Sequence, residues 1–411
     1  MEDSCPKDLI KCSRCGGCQA YCPLYYETGR EDFVARGKIE LLDNVQTGKL
    51  DWNDKLAEIF STCLLCGACT ENCPNEVRAD KLIMYARKKL AIKRGLPIIK
   101  KNIFQHLLVY NGRLNAVGKM LFLYQKAGVQ RLIRSTGILK LMPHDLLEIE
   151  SLIPEFAGGP FRKKVPHILF VPSSKLKIAY FTGCVTNLIN HQVGYSLLKI
   201  MKAHDVEVII PEQYCCGVPA FSSGDFKTGS ILGKRNLALF ANLSVDYIVF
   251  DCASCLSTWL RYPELLESEE AYRLIPKIMD INRFLVEVLD IKVEPLSWGI
   301  KVTYHDPCHL KRTINGKTAP RELLKRLSPG FHFVEMELAD RCCGSAGSFN
   351  LSHYHLSKKV AERKINSVLE SGAQVVASSC PSCIMQLDHS MKMQGSSVRA
   401  KHVIELVAQC F

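Results

Sequence analysis

The chain has no run of about 18 consecutive apolar residues, so no membrane-spanning helix is expected. It has no Gly-x-Gly-x-x-Gly turn and no P-loop, so neither of the usual phosphate cradles for a dinucleotide or a nucleoside triphosphate is present. Nothing points to a serine or histidine nucleophile triad. The first residues, Met1-Glu2-Asp3-Ser4-Cys5, are acidic and lack an apolar core, so a secretory signal is not expected. The expected location is cytoplasmic, with any membrane contact peripheral on the inner face of the cytoplasmic membrane. Acidic residues nearly vanish between 81 and 145, where one stands against 14 Lys/Arg. That segment carries +13 of a net charge of +12, which leaves the remainder at about −1. Basicity so confined argues for a docking face, and against a nucleic-acid binder that is basic throughout.

Cysteine is what the chain has in excess. There are 20 in 411 residues, most of them in tight, regularly spaced clusters. In a chain this long, that pattern reads as metal binding in a reducing compartment, not as a secreted disulfide scaffold. A hydrophobic fraction of 47% is that of a globular protein, and the length allows two to three domains.

Two internal repeats are written in these cysteines. The short one is Cys12-x2-Cys15-x2-Cys18-x3-Cys22-Pro23, repeated as Cys63-x2-Cys66-x2-Cys69-x3-Cys73-Pro74. The long one comprises Cys184, Cys215-Cys216-Gly217 and Cys252-x2-Cys255, then Cys308, Cys342-Cys343-Gly344 and Cys380-x2-Cys383. The steps between cysteines are 31, 1, 36 and 3 residues in the first copy and 34, 1, 37 and 3 in the second. Agreement this close marks a duplicated unit.

In the short repeat, three closely spaced thiolates can wrap one face of a [4Fe–4S] cubane, and the fourth, before proline, serves the other cluster in two-cluster ferredoxins. Cys12, Cys15, Cys18 and Cys73 are therefore expected to hold one cluster, and Cys63, Cys66, Cys69 and Cys22 the other. Gly16, Gly17, Gly67 and Ala68 keep those loops small. Zinc also takes four cysteines, but its sites rarely repeat a three-cysteine run with proline. The long repeat offers five thiols per copy, one more than a cubane needs, and its adjacent cysteines suit two thiolates on neighbouring irons. Thioredoxin-like redox pairs at Cys252/Cys255 and Cys380/Cys383, or inert buried thiols, are the alternatives. Cys5 and Cys410 are left over as ordinary thiols.

Short β-rich runs, Lys177 to Phe181 and Lys301 to His305, precede Cys184 and Cys308. A helix is expected from about Leu188 to Ala203, a strand from Val206 to Ile210 leading to the Cys-Cys-Gly, and a helix near Thr228 to Leu243. Strands Tyr247 to Phe250 and Val375 to Ala377 deliver Cys252 and Cys380. Strands alternating with helices imply parallel βαβ units, whose ligands lie past the strands' carboxyl ends. Between the two halves, Ile103, Phe104, Leu107 and Leu108 form an apolar stripe on a basic helical spacer. Its basic face is either solvated or a surface for anionic lipid or an acidic partner. Pro154, Gly158-Gly159-Pro160 and Pro166 mark a linker.

The long repeat resembles the cysteine-rich CCG module of the heterodisulfide reductase superfamily. Two ferredoxin motifs followed by two such modules resemble the iron–sulfur subunit of glycolate oxidase and the heterodisulfide reductase subunit of the same build, over essentially the whole chain. Arg36-Gly-Lys-Ile-Glu40, Cys342-Cys-Gly-Ser-Ala-Gly347, Leu369-Glu-Ser-Gly372 and Val403-Ile-Glu-Leu-Val407 look most like the glycolate oxidase subunit. Glycolate oxidase subunits tend to lack the first cysteine of the module's final pair. Here Cys252 and Cys380 complete both sets, as in heterodisulfide reductases, where a full set is similar to a non-cubane [4Fe–4S] site implicated in disulfide cleavage.

The resemblance implies a multi-domain α/β chain. An α-helical two-cluster ferredoxin-like domain spans 1–90, a basic helical spacer and linker 91–170, and two related βαβ cysteine-rich (CCG) modules 171–295 and 296–411. It implies an iron–sulfur electron-transfer subunit of a glycolate- or lactate-oxidising complex, with a disulfide reductase as the alternative. Cys184, Cys215, Cys216, Cys252, Cys255, Cys308, Cys342, Cys343, Cys380 and Cys383 would then be catalytic residues or ligands of two further clusters. Oxidising a 2-hydroxy acid removes a hydride equivalent, whereas a cluster moves single electrons, so a flavin must intervene. No place for a flavin is visible, and a FAD-containing oxidase or dehydrogenase subunit is the expected partner, with a quinone or membrane cytochrome b downstream. Two smaller features stay open. His305-Asp306-Pro307-Cys308-His309 could carry a proton donor, or Asp306 could cap the turn. Lys311-Arg312 could offset cluster charge or be solvated.

Overall fold

The computed structural model describes residues 5–136, 150–294 and 296–411. Residues 137–145 of the basic segment lie outside them. Two sheets dominate the second half of the chain. The first runs β1-β3-β2-β4-β5, comprising β1 (Ile168–Leu169), β2 (Leu176–Phe181), β3 (Val206–Ile209), β4 (Tyr247–Phe250) and β5 (Ile278–Asp280). All neighbours in it are parallel except β1, which lies antiparallel on the β3 edge. The second sheet runs β7-β6-β8-β9, from β6 (Ile300–His305), β7 (Phe331–Phe333), β8 (Val375–Ser378) and β9 (Arg399–His402), and is parallel throughout. Omitting β1, the two orders are the same, so the cysteine repeat is a duplicated βαβ module.

The strands form because they are short apolar or β-branched runs with both faces covered, as parallel sheets require. Ile178, Tyr180, Val208 and Val249 are fully buried, as are Val302 and Tyr304 of the second module. In each module the chain leaves the central strand (β2 or β6) on one side, then returns on the other through β4 or β8. The strand order reverses there, opening a crevice at the carboxyl ends where open α/β sheets bind ligands.

The helix expected from about 188 to 203 spans His191–Ala203, and a separate short helix, Cys184–Leu188, precedes it, with the chain turning at Ile189 and Asn190. The next helix spans Phe226–Phe240, beginning at Asp225, whose carboxylate accepts from the Thr228 amide at 3.0 Å. The Cys-Cys pairs do not follow their strands directly. Each comes after an irregular connection, Ile210–Tyr214 in the first module and Val334–Arg341 in the second.

The first half is helical. Ala35–Gln46, Asp54–Ser61 and Ala79–Arg94 close on one another through Ile39, Leu42, Leu56, Phe60, Leu82 and Ile83. Fully burying one such side chain is worth about 1.5–3 kcal/mol. A second cluster joins Leu24, Phe33, Ile59 and Leu64 to Phe349 and Val360, seating the ferredoxin-like part on the second module. In the spacer, Phe104 and Leu108 are buried and Leu107 is half-buried. Among the described residues, no helix is long and apolar enough to cross a membrane.

Candidate metal centres

Each short cysteine motif turns through a left-handed glycine, Gly16 at φ +83° and Gly67 at φ +73°, a conformation in which a side chain would be strained. The turns gather the eight cysteines into two sets. Cys12, Cys15, Cys18 and Cys73 line one small cavity, whose edge Cys69 also reaches. Cys22, Cys63, Cys66 and Cys69 line the other. Backbone amides point at sulfur here: Leu65 N–H donates to Cys63 Sγ at 3.4 Å and Tyr25 N–H to Cys22 Sγ at 3.5 Å. Lys38 stands beside the second set, fully buried, its Nζ donating to the Phe33 carbonyl at 2.7 Å and the Asp32 carbonyl at 3.1 Å. Burial draws its pKa down to about 8, while the neighbouring Cys63 and Cys22 oppose that shift. In the sequence, Lys38 is one basic residue among 53.

The ten cysteines of the long repeat converge as well. Cys184 and Cys308 each open a helix just past the central strand, and Cys252 and Cys380 are N-caps just past β4 and β8. Gly217 (φ +82°) and Gly344 (φ +87°) turn the chain after each Cys-Cys pair. In the first module Cys184 is within hydrogen-bonding reach of Cys215, Cys215 of Cys216, Cys216 of Cys255 and Cys255 of Cys252. In the second, Cys308 reaches Cys342, Cys342 reaches Cys343, Cys343 reaches Cys383 and Cys383 reaches Cys380.

Cys252 also reaches Cys380, so the two sets meet. They meet because the carboxyl ends of the two sheets face each other. Ala253 N–H donates to the Ser379 carbonyl at 3.2 Å, and Asn282 Nδ2 to Ser379 Oγ at 3.0 Å. His402 Nε2 lies 2.9 Å from the Asp251 carbonyl, and Ser254 Oγ lies 3.7 Å from Cys380 Sγ and 3.0 Å from His309 Nδ1.

The ferredoxin-like part adjoins the second module: the Cys66 thiol stands close enough to Cys308 and Cys342 to interact with both electrostatically. Lys311 and Arg312 are not simply solvated. Arg312 Nε pairs with Glu71 at 2.9 Å, Lys311 pairs with Asp340, and the Arg312 guanidinium lies beside Cys66 and Cys308. Asp306 does not cap the turn; Arg321 holds its two carboxylate oxygens at 2.7 and 2.8 Å. A cavity of about 2340 Å³ opens onto these thiols, lined by Cys184, Cys216 and Cys255, by Cys308, Cys343 and Cys383, and by Cys63 and Cys66 at its ferredoxin end.

The donor sets suit iron–sulfur clusters. All 20 cysteines are free thiols, including the adjacent pairs. Burial pushes thiols such as Cys69 upward, so packing them together as thiolates requires cations among them. One residue offered by the sequence as a proton donor stands instead as a candidate ligand. His305, fully buried, has both ring nitrogens without a hydrogen bond, and its ligand atom lies within 4.8 Å of those of Cys343 and Cys383. Burial draws it down to about 3, leaving the imidazole neutral.

Residues 8–77 match the 4Fe-4S dicluster domain, residues 178–259 and 302–388 the cysteine-rich CCG domain, and residues 95–153 the linker region of glycolate oxidase iron–sulfur subunits. A probable glycolate oxidase iron–sulfur subunit from Bacillus subtilis is 32% identical over 424 residues, covering 98% of this chain and 94% of that one. The chain belongs to the glycolate oxidase iron–sulfur subunit family. Like other members it is an iron–sulfur oxidoreductase subunit that works with partner subunits. A fumarate reductase (CoM/CoB) subunit of Methanothermobacter marburgensis is 27% identical over 98% of this chain and 73% of its own. Lactate utilization protein A of Halalkalibacterium halodurans is 28% identical over 56% of this chain and 96% of its own. A hypothetical protein from Helicobacter pylori shares the fold, at TM-score 0.57 and 10% identity, over 97% of this chain and 72% of that one.

Proposed function

We propose that this glycolate oxidase-type subunit carries electrons from a FAD-containing partner that oxidises a 2-hydroxy acid, glycolate or lactate, to a quinone or another carrier. Cys12, Cys15, Cys18 and Cys73 would hold one [4Fe–4S] cluster, and Cys22, Cys63, Cys66 and Cys69 a second. The five cysteines of each CCG module would hold a further, non-cubane cluster. Bound there, the clusters supply one-electron steps. What supports the reading is the succession of thiol sets: Cys69 reaches the cavity of the first set, the Cys66 thiol interacts electrostatically with Cys308 and Cys342, and Cys380 meets Cys252. Lys38 places positive charge beside the second ferredoxin set, and Arg312 between that set and the second CCG module, where reduction adds negative charge.

The test is iron and sulfide content with EPR on protein purified without oxygen. About sixteen irons per chain are expected; about eight would mean that only the ferredoxin motifs are filled. A second reading has a specific observation behind it. Complete five-cysteine sets meeting at Cys252 and Cys380, beside a cavity that opens onto both modules, suit a disulfide substrate. Electron flow from the flavin partner to a quinone with an added disulfide left untouched supports the relay. Thiol release from an added disulfide by the reduced, iron-loaded chain, lost in Cys252→Ser and Cys380→Ser, favours disulfide chemistry instead.

A further inference from the structure

The two CCG modules are built alike but are not chemically alike. β2 reads Leu-Lys-Ile-Ala-Tyr-Phe and β6 reads Ile-Lys-Val-Thr-Tyr-His, so His305 occupies the position of Phe181. Phe181 does what an apolar residue at that place should do. Its ring lies 5.0 Å from that of Phe250, 5.3 Å from Trp259 and 5.7 Å from Phe240, filling the floor beneath the first thiol set. In the second module the same place holds an imidazole with no solvent exposure, neither nitrogen in a hydrogen bond of good geometry and only the Ala339 carbonyl near enough to accept from one of them.

An unpartnered buried polar group costs stability, and such a group in a folded protein calls for an explanation in an ion, water or reaction. Phenylalanine serves the sister module without that cost. The surroundings of His305 limit what can satisfy it. Lys364 stands near enough to act on it electrostatically, but its ammonium donates to the Leu338 carbonyl. The Ala339 carbonyl lies beside the ring, a suitable acceptor for one ring N–H. The other nitrogen has a lone pair, and what lies before it is sulfur. Its ligand atom and the Sγ atoms of Cys343 and Cys383 all fall within 4.8 Å of one another, a spread that one metal centre can span. A thiol S–H is a weak donor that makes no hydrogen bond to this ring, and a cluster-bound thiolate is no donor, whereas an iron can accept the lone pair. Metal-bound histidines commonly direct their second N–H to a backbone carbonyl, the role open to Ala339.

Given clusters in both CCG modules, as proposed above, we infer that His305 is an iron ligand of the second module's cluster, alongside Cys343 and Cys383, and that the first module has no such ligand. Where His305 takes an iron position that a thiolate fills in the first module, the neutral imidazole raises the reduction potential of the centre, and in His305→Phe the displaced thiolate resumes that position. The second module, beside Cys66, is then the more readily reduced of the pair.

The experiment is pulsed EPR on the whole chain loaded with iron, grown with ¹⁴N- or ¹⁵N-labelled histidine, with iron content and a redox titration measured in parallel. Expected is one strongly coupled histidine nitrogen that changes with the isotope, persists in His309→Gln and disappears in His305→Phe. His305→Phe should keep the wild-type iron content, because it copies the sister module, and should shift one centre to lower potential. A coupling that survives His305→Phe overturns the inference. So does a coupling only of the weak size given by a hydrogen-bond donor, or no histidine coupling in the wild type, which decides the matter even if the variant does not fold. Iron sufficient for the ferredoxin motifs alone would overturn the cluster assignment of the modules along with the ligand. Full iron without the coupling would overturn the ligand alone.

Discussion

Two glycines after the second Cys-Cys pair separate backbone conformation from packing. Gly344 and Gly347 both have positive φ, +87° and +66°. A Cβ on Gly344 would meet the Ser357 carbonyl oxygen at 2.6 Å, whereas one on Gly347 meets nothing within 4 Å. Alanine at either position carries the left-handed penalty of about 1–2 kcal/mol, and at Gly344 an overpacking cost of about 1–3 kcal/mol is added. Thermal unfolding should therefore show Gly344→Ala losing about 3 kcal/mol and Gly347→Ala about 1 kcal/mol. Equal losses would mean that helix Tyr354–Glu370 yields to the extra carbon. The sequence displays a Cys-Cys-Gly motif at this place, but no spacing tells that a carbonyl thirteen residues on lies against the missing side chain. His305 is the same case with polar chemistry: the sequence offers it as a proton donor at the end of a β run, and only the fold exposes it as a buried imidazole facing thiols.

Among the elements, helix Ala79–Arg94 joins the ferredoxin-like half to the first CCG module. Its apolar face, Leu82, Ile83, Ala86 and Leu90, is buried in the ferredoxin-like core. Arg87 reaches out of that face, donating to the carbonyls of Phe60 at 2.8 Å, Ser61 at 2.9 Å, Cys63 at 2.7 Å and Ser222 at 2.6 Å. One guanidinium thus holds the loop carrying Cys63 against the first CCG module, where Gly224 leaves room for the Arg87 backbone. Arg87→Ala strands these carbonyls and should lower stability by at least about 3 kcal/mol, since bonds from a charged donor are worth roughly 1.5–3 kcal/mol each. Denaturant unfolding measures it, with the exposed Lys93→Ala as control, expected within about 0.5 kcal/mol of wild type. A small loss at Arg87 would show that solvent or a neighbouring cation takes its place. From composition, Arg87 counts as one more charge of a basic docking face; the structure turns its guanidinium inward onto four carbonyls.

At the scale of the whole molecule, the charge that remains outside has apolar company. Ile92 is 66% exposed, Ile98 77% and Ile99 73%, alongside the exposed Lys93 and Lys101. Apolar side chains flanked by lysine suit the interface of an anionic bilayer. Vesicles with anionic lipid should bind the chain at low salt, binding should fall steeply as salt rises, and Ile98→Asp with Ile99→Asp should weaken it at constant charge screening. Co-sedimentation reads this out, and no binding at low salt would leave the segment as a solvated spacer.

The sequence by itself determined the cysteine sets, the duplication and the alternation of strand with helix, because ligand spacing and apolar period are local properties of the chain. It did not disclose β9, Arg-Ala-Lys-His, which is a strand only because β8 offers it a parallel edge. Nor did it disclose the break at Ile189, or the irregular connections that carry the Cys-Cys pairs away from their strands. The contacts of Cys252 with Cys380 and of Cys66 with the second module belong to the tertiary structure alone. Each joins residues from separate units, and their meeting depends on how the carboxyl ends of two sheets are turned toward each other and toward the ferredoxin-like core. Spacing along a chain specifies which atoms can surround one centre; only the packing of the units decides which centres are neighbours.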